Sequence, residues 1–344
     1  MLEVGHTDTH NTTAPHASSI GLVVAARSNI LNLLLLTLSF WCIRPITAQT
    51  SESLDKALIR RIGNSPALHF REEQFQFHFP TSDWAVGPVS GVAADGKGTI
   101  FVMQRGNKAA PILAFDTKGT LIRSWGKGDL TLPHNLRVDP EGNVWAVDAR
   151  ASLVIKYSPA GRKLLTIIVG RAPDTGSSFR GATDVAFAPN GHILIADGYG
   201  NARILEYTAD GQRIHEWGRP GTGPGEFHLP HAIQISRNGI VYVADRENGR
   251  IEEFNMQGKF LKEIDLLGRC YSLKLADGVL WASISSLAED PGAPGWLVKI
   301  DPKSGKILGH LEVPEQHEGH QIDILQSGEP VVTAGNGLLL FRSR

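Results

Sequence analysis

One unit recurs six times along this chain, and a repeat of this kind dictates the architecture before any single residue does. The unit is a short β-rich segment, a turn carrying Asp, Asn or Gly, and a second β-rich segment. Its copies are "SGVAADGKGTIFV", "HNLRVDPEGNVWAV", "TDVAFAPNGHILIA", "HAIQISRNGIVYVA", "YSLKLADGVLWAS" and "HQIDILQSGEPVVT". Their turn glycines are Gly98, Gly142, Gly191, Gly239, Gly278 and Gly328, spaced by 44, 49, 48, 39 and 50 residues. A second hairpin follows most copies, as in "ILEYTADGQRIHEWG" and "LVKIDPKSGKILGHL". Four short strands in each such period form one blade of a propeller. The expected fold is therefore all-β, a six-bladed β-propeller over residues 74–344. The sixth copy ends at "LLLFRSR", one strand short of a full blade. The aromatic–polar alternation of "FQFHF", residues 75–79, predicts the N-terminal strand that closes the ring.

Upstream, Ile30–Trp41 is a short apolar run preceded by Arg27 and followed by a small-residue cleavage site at Ala48. Residues 1–48 thus read as a signal peptide or N-terminal anchor, with a secreted or periplasmic protein as the expectation. A membrane span needs about 20 apolar residues. Residues 49–73 read as a polar linker with one short helix near Leu54–Arg61. The formal net charge of −1 over 344 residues argues against nucleic acid as the main partner. Cys42 and Cys270 are the two cysteines, so no disulfide framework is implied. A monomer is expected.

In a propeller the first strand of each blade lines the central channel. Blade by blade, the residue that opens this strand is Ser90, His134, Thr183, His231, Tyr271 and His320. Histidine thus occupies blades two, four and six, and the three side chains are expected to meet on the channel axis. Three imidazoles with an open fourth position make a catalytic zinc site. His317 is the alternative ligand on blade six. The second strand runs back to the same rim and ends in "FVMQRG", "WAVDAR", "LIADGYGN" and "YVADRENGR". Asp148, Asp197 and Asp245 share one phase there, open to a turn-capping role or to catalysis. Arg105, Tyr199 and Arg246 break the repeat, so its packing does not account for them. Two arginines beside a metal point to an anionic small-molecule or peptide substrate, because guanidinium pairs bidentately with carboxylate.

From about Gly87 to Phe341 the chain resembles the peptidyl-α-hydroxyglycine α-amidating lyases, six-bladed propellers of the NHL-repeat group. "LPHNLRVDPEGNVWAVD", "IADGYGNARI", "LPHAI" and "VADRENGRI" carry the resemblance. It implies cleavage of a peptidyl-α-hydroxyglycine to a peptide amide and glyoxylate. It also implies Zn2+ on His134, His231 and His320, with Arg105, Tyr199 and Arg246 in the substrate site. In the family an acidic residue beside the third histidine helps hold a structural Ca2+ near Val92 and Leu136. Here Gln321 stands at that position, which counts against calcium. The monooxygenase that makes the substrate is not in this sequence. Two other classes stay open at this point: a non-catalytic NHL propeller that binds protein or glycan, and a metal-dependent propeller hydrolase of lactonase type.

Overall fold

The structure, a computed structural model, describes residues 47–170, 176–287, 295–313 and 319–344. The apolar run Ile30–Trp41, Cys42 and His317 lie outside them. Among the described residues no helix is long and apolar enough to cross a membrane.

Six four-stranded antiparallel sheets form the blades. The first five take their strands in chain order from the channel outward. Blade two, for example, runs Pro133–Val138, Val144–Asp148, Leu153–Tyr157 and Lys163–Ile168. Its second strand is buried along its whole length, whereas Ile168 on the outermost strand is 78% exposed. Inner strands are wedged between neighbours on both faces, so they lose the polar–apolar alternation of a one-sided sheet. The core is accordingly six clusters, one at each junction between blades. One joins Phe101 and Met103 of blade one to Val144, Ile155 and Tyr157 of blade two.

The channel residues owe their aim to bulges. In blades one, two, four and five the register slips by one residue on the inner strand. The residue left without a partner is Ser90, His134, His231 or Tyr271. A bulge frees one residue from the ladder and redirects its side chain and its carbonyl. His134 and His231 thus turn their imidazoles, and Ser90 and Tyr271 their carbonyls, to the channel.

Ring closure differs from the expectation in its residues. The strand that completes blade six is Phe70–Gln74, paired from Phe70↔Ser343 to Gln74↔Leu339. All of it but Gln74 falls in the expected linker 49–73, so the propeller begins before residue 74. The five residues, Phe-Arg-Glu-Glu-Gln, show no alternation because an outermost strand needs only its backbone to pair. The phenylalanines of 75–79 pack elsewhere. Phe77 lies 4.9 Å from Phe115, and Phe75 joins the cluster between blades six and one. His78 exchanges backbone hydrogen bonds with Gly119 and Leu121 of blade one. The segment is a strap across the ring's seam.

The helix is longer than expected, Thr47–Gly63. Leu58 and Ile62, one turn apart, are fully buried with Leu266 and Ile284 at the junction of blades four and five. Arg60 and Arg61 in its last turn complement the helix dipole.

Candidate metal centre

His134, His231 and His320 converge. One ring nitrogen from each lies within 4.8 Å of the others, and the ring centroids are 4.7–5.1 Å apart. The blades between them explain how they are held. His134 Nδ1 bonds the carbonyl of Thr183 at 2.8 Å, His231 Nδ1 that of Tyr271 at 2.6 Å, and His320 Nδ1 that of Ser90 at 2.9 Å. Each histidine on an even blade is thus oriented by the channel residue of the next odd blade. A carbonyl only accepts, so each Nδ1 carries the proton and each Nε2 keeps its lone pair. This is the outer support usual for metal-bound imidazole.

Burial and nearby cations keep the three rings neutral. Burial, then His320 and Arg105, push His134 well below its ordinary value. His231 is depressed in the same way by burial and Arg246. His320 is pushed down to about 4 by burial and Arg105. The Tyr199 hydroxyl lies 2.9 Å from His134 Nε2 and 3.1 Å from His231 Nε2. Two imidazole lone pairs and a phenol oxygen then share one proton. Such a donor-poor cluster suits a cation, and N-donors in this number suit zinc.

Tyr199 follows Gly198 at the end of the second strand of blade three. A Cβ on Gly198 would lie 2.2 Å from the carbonyl oxygen of Pro230, so only glycine lets the chain pass there. Burial pushes the Tyr199 phenol up to about 12, while Arg246 and Arg105 pull it back. Arg105 donates from Nε to Pro133 O at 2.8 Å and stacks its guanidinium 5.6 Å from the Phe179 ring centre. Burial disfavours its charge, and no carboxylate among the described residues offsets this. Arg246 lies 5.0 Å from the Tyr271 ring centre and pairs with Glu247 at 2.7 Å. Glu247 also accepts from Arg269 at 2.8 Å.

The remaining sequence candidates resolve by contact. Asp148 accepts from the amides of Leu132, Arg150 and Ala151; Asp245 accepts from His228 N, Asn248 and Arg250. Asp197 accepts from Asn201 and Arg203. Asp148 caps its own turn, and Asp197 and Asp245 are tied to neighbouring arginine and asparagine side chains, so all three have structural partners. At the calcium position the Gln321 amide accepts from Val92 N at 2.9 Å and Leu136 N at 3.2 Å, and donates to Leu136 O. A neutral amide already satisfies the carbonyl that a cation would need, so these residues do not fit calcium. The sequence marks Tyr271 only as a channel position and assigns no role to Phe179 or Glu247. Tyr271 and Glu247 sat in stretches already singled out, one in the channel phase and one in "ADRENGR". Phe179 shares its repeat phase with Leu130 and Phe227, so its position alone reads as packing.

Comparison with known proteins bears on the fold and on the chain's relatives. The family model described as "6-bladed beta-propeller" matches residues 182–281. A mouse peptidyl-glycine alpha-amidating monooxygenase is 29% identical over 288 residues, covering 73% of this chain and 29% of that protein. The peptidyl-alpha-hydroxyglycine alpha-amidating lyase 1 of Drosophila melanogaster is 30% identical, covering 78% of this chain and 54% of its own length. The chain thus spans about half or less of these relatives. A streptogramin B lyase structure superposes with a TM-score of 0.57 at 18% identity, covering 80% of this chain and 98% of its own, which speaks to the fold alone. On these relatives and on its six-bladed propeller, the chain is homologous to the peptidyl-α-hydroxyglycine α-amidating lyases.

Proposed function

We propose that this protein is a zinc-dependent lyase that cleaves an N-acyl- or peptidyl-α-hydroxyglycine to the corresponding amide and glyoxylate. The observation that carries the reading is the meeting, in one buried cluster, of three neutral imidazoles, Tyr199 and two guanidinium groups. His134, His231 and His320 would hold the zinc through Nε2. When bound, the ion supplies a double positive charge that lowers the pKa of the substrate hydroxyl and of the Tyr199 phenol.

The protein's own groups do the rest. Arg105, with no carboxylate partner among the described residues, binds the substrate carboxylate. Arg246, held by Glu247 and Tyr271, adds positive charge beside Tyr199. Tyr199 takes the proton of the carbinol hydroxyl, the C–N bond breaks, and the carbon becomes the aldehyde of glyoxylate. That proton then passes to the departing nitrogen, so the amide leaves neutral and no other reactant is consumed.

Purified protein offered an N-acyl-α-hydroxyglycine should release amide and glyoxylate in equal amounts, and a chelator should stop it. Tyr199→Phe keeps the ring but removes the proton acceptor, so kcat should fall about 10²–10⁴-fold. Failure to form glyoxylate at full zinc occupancy would refute the reaction and leave the metal centre standing.

A further inference from the structure

We infer that Phe179 is a specificity-determining residue that lines the acyl side of the pocket and selects substrates with an apolar acyl group. The inference rests on the lyase reading above. In the repeat, the residue four positions before the channel residue is Leu130 ahead of His134 and Phe227 ahead of His231. Both are spent on packing: Leu130 lies against the cluster between blades one and two, and Phe227 is fully buried between blades three and four. Phe179 holds the same position ahead of Thr183 yet belongs to none of the six clusters. It turns instead to the metal centre. Its ring centre lies 4.9 Å from Tyr199 and 6.1 Å from His134, with Arg105 over its face.

Two hydrogen bonds fix the segment in this place, Arg180 N to Ala149 O at 2.9 Å and Tyr199 N to Gly181 O at 3.0 Å. The ring is half-buried, so part of it still faces open space. A carbinol carbon has four substituents. The hydroxyl goes to the metal, the carboxylate to Arg105, and the hydrogen needs little room. The acylamide is the group left, and it must leave past the wall beside Tyr199 and Arg105. That wall is an aromatic face with no carboxylate on it among the described residues, which favours an apolar acyl group over a charged one.

The test compares N-hexanoyl- and N-acetyl-α-hydroxyglycine on the zinc-loaded wild type, Phe179→Ala and Phe179→Leu. The wild type should prefer the hexanoyl substrate by about 10-fold or more in kcat/KM, within the discrimination an apolar pocket gives for added methylenes. Phe179→Ala should lose most of that preference, and Phe179→Leu, which restores an apolar wall, should keep most of it. An equal loss on both substrates in Phe179→Ala would overturn the inference, because Phe179 would then only brace Arg105 and Tyr199. Absence of preference in the wild type would overturn it as well. If neither substrate yields glyoxylate, the reaction reading fails. Calorimetric binding of N-hexanoylglycine against N-acetylglycine then decides the role of Phe179 on the same criteria.

Discussion

Ser90, Thr183 and Tyr271 have a side-chain hydroxyl in common, yet the group each contributes to its histidine is the backbone carbonyl. The sequence therefore shows half of the centre. The even-blade histidines stand out because side chains are what a repeat comparison sees. The role of the odd-blade partners is invisible, since a backbone oxygen leaves no trace in residue identity. The same logic hid Gly198, whose role is to have no Cβ beside Pro230. One experiment separates the two kinds of contribution. Ser90 Oγ has no hydrogen-bond partner, so Ser90→Ala removes nothing that His320 uses. Zinc content by mass spectrometry should stay stoichiometric in Ser90→Ala and collapse in His134→Ala, where two imidazoles remain. Loss of zinc in Ser90→Ala would show that the Ser90 side chain, and not its carbonyl, supports the centre.

At the scale of elements, sequence pattern located the strands that recur with the repeat and misplaced the closing strand, which lies outside it. Every second strand of the repeat was legible because both of its faces need apolar residues. Phe70–Gln74 carries Arg71, Glu72 and Glu73, and its role is to pair with Gly337–Ser343. "FQFHF" has the alternation of a strand because one of its faces is buried, but the surface it covers is the seam between blades one and six. These placements give opposite outcomes for two truncations. Removing residues 1–46 leaves the helix Thr47–Gly63 and the closing strand in place, so solubility and melting temperature should be unchanged. Removing residues 1–74 bares the edge of Gly337–Ser343, and an unpaired edge invites association between chains. Size-exclusion chromatography should show a monomer for the first truncation and aggregates for the second. Identical monomeric profiles would mean that the ring closes without Phe70–Gln74.

For the whole molecule, the centre exists only as a property of the closed ring. Arg105 comes from blade one, His134 from two, Tyr199 from three, His231 and Arg246 from four, Tyr271 from five and His320 from six. A single blade supplies at most one imidazole. This is why residue phase within the repeat was so informative: propeller symmetry converts equal positions in sequence into neighbours on one axis. Further along the channel the same strands carry ion pairs, Arg137 with Asp184 at 2.6 Å and Lys274 with Asp323. A metal held by blades two, four and six then ties the ring together, and metal affinity and ring stability become linked quantities. An ion that binds only the folded state stabilises it by about 2.7 kcal/mol at 100 times its Kd. Zinc should therefore raise the melting temperature of the wild type in a concentration-dependent way. It should not do so in His231→Ala, where two ligands remain. The truncation that lacks Phe70–Gln74 keeps all three histidines, but its sixth blade is no longer fixed to the first. His320, oriented by Ser90 across that seam, should lose its place, and zinc affinity should fall even in whatever soluble fraction survives. Wild-type zinc affinity in that fraction would show that the centre assembles without a closed ring, and the coupling of metal to closure would be refuted.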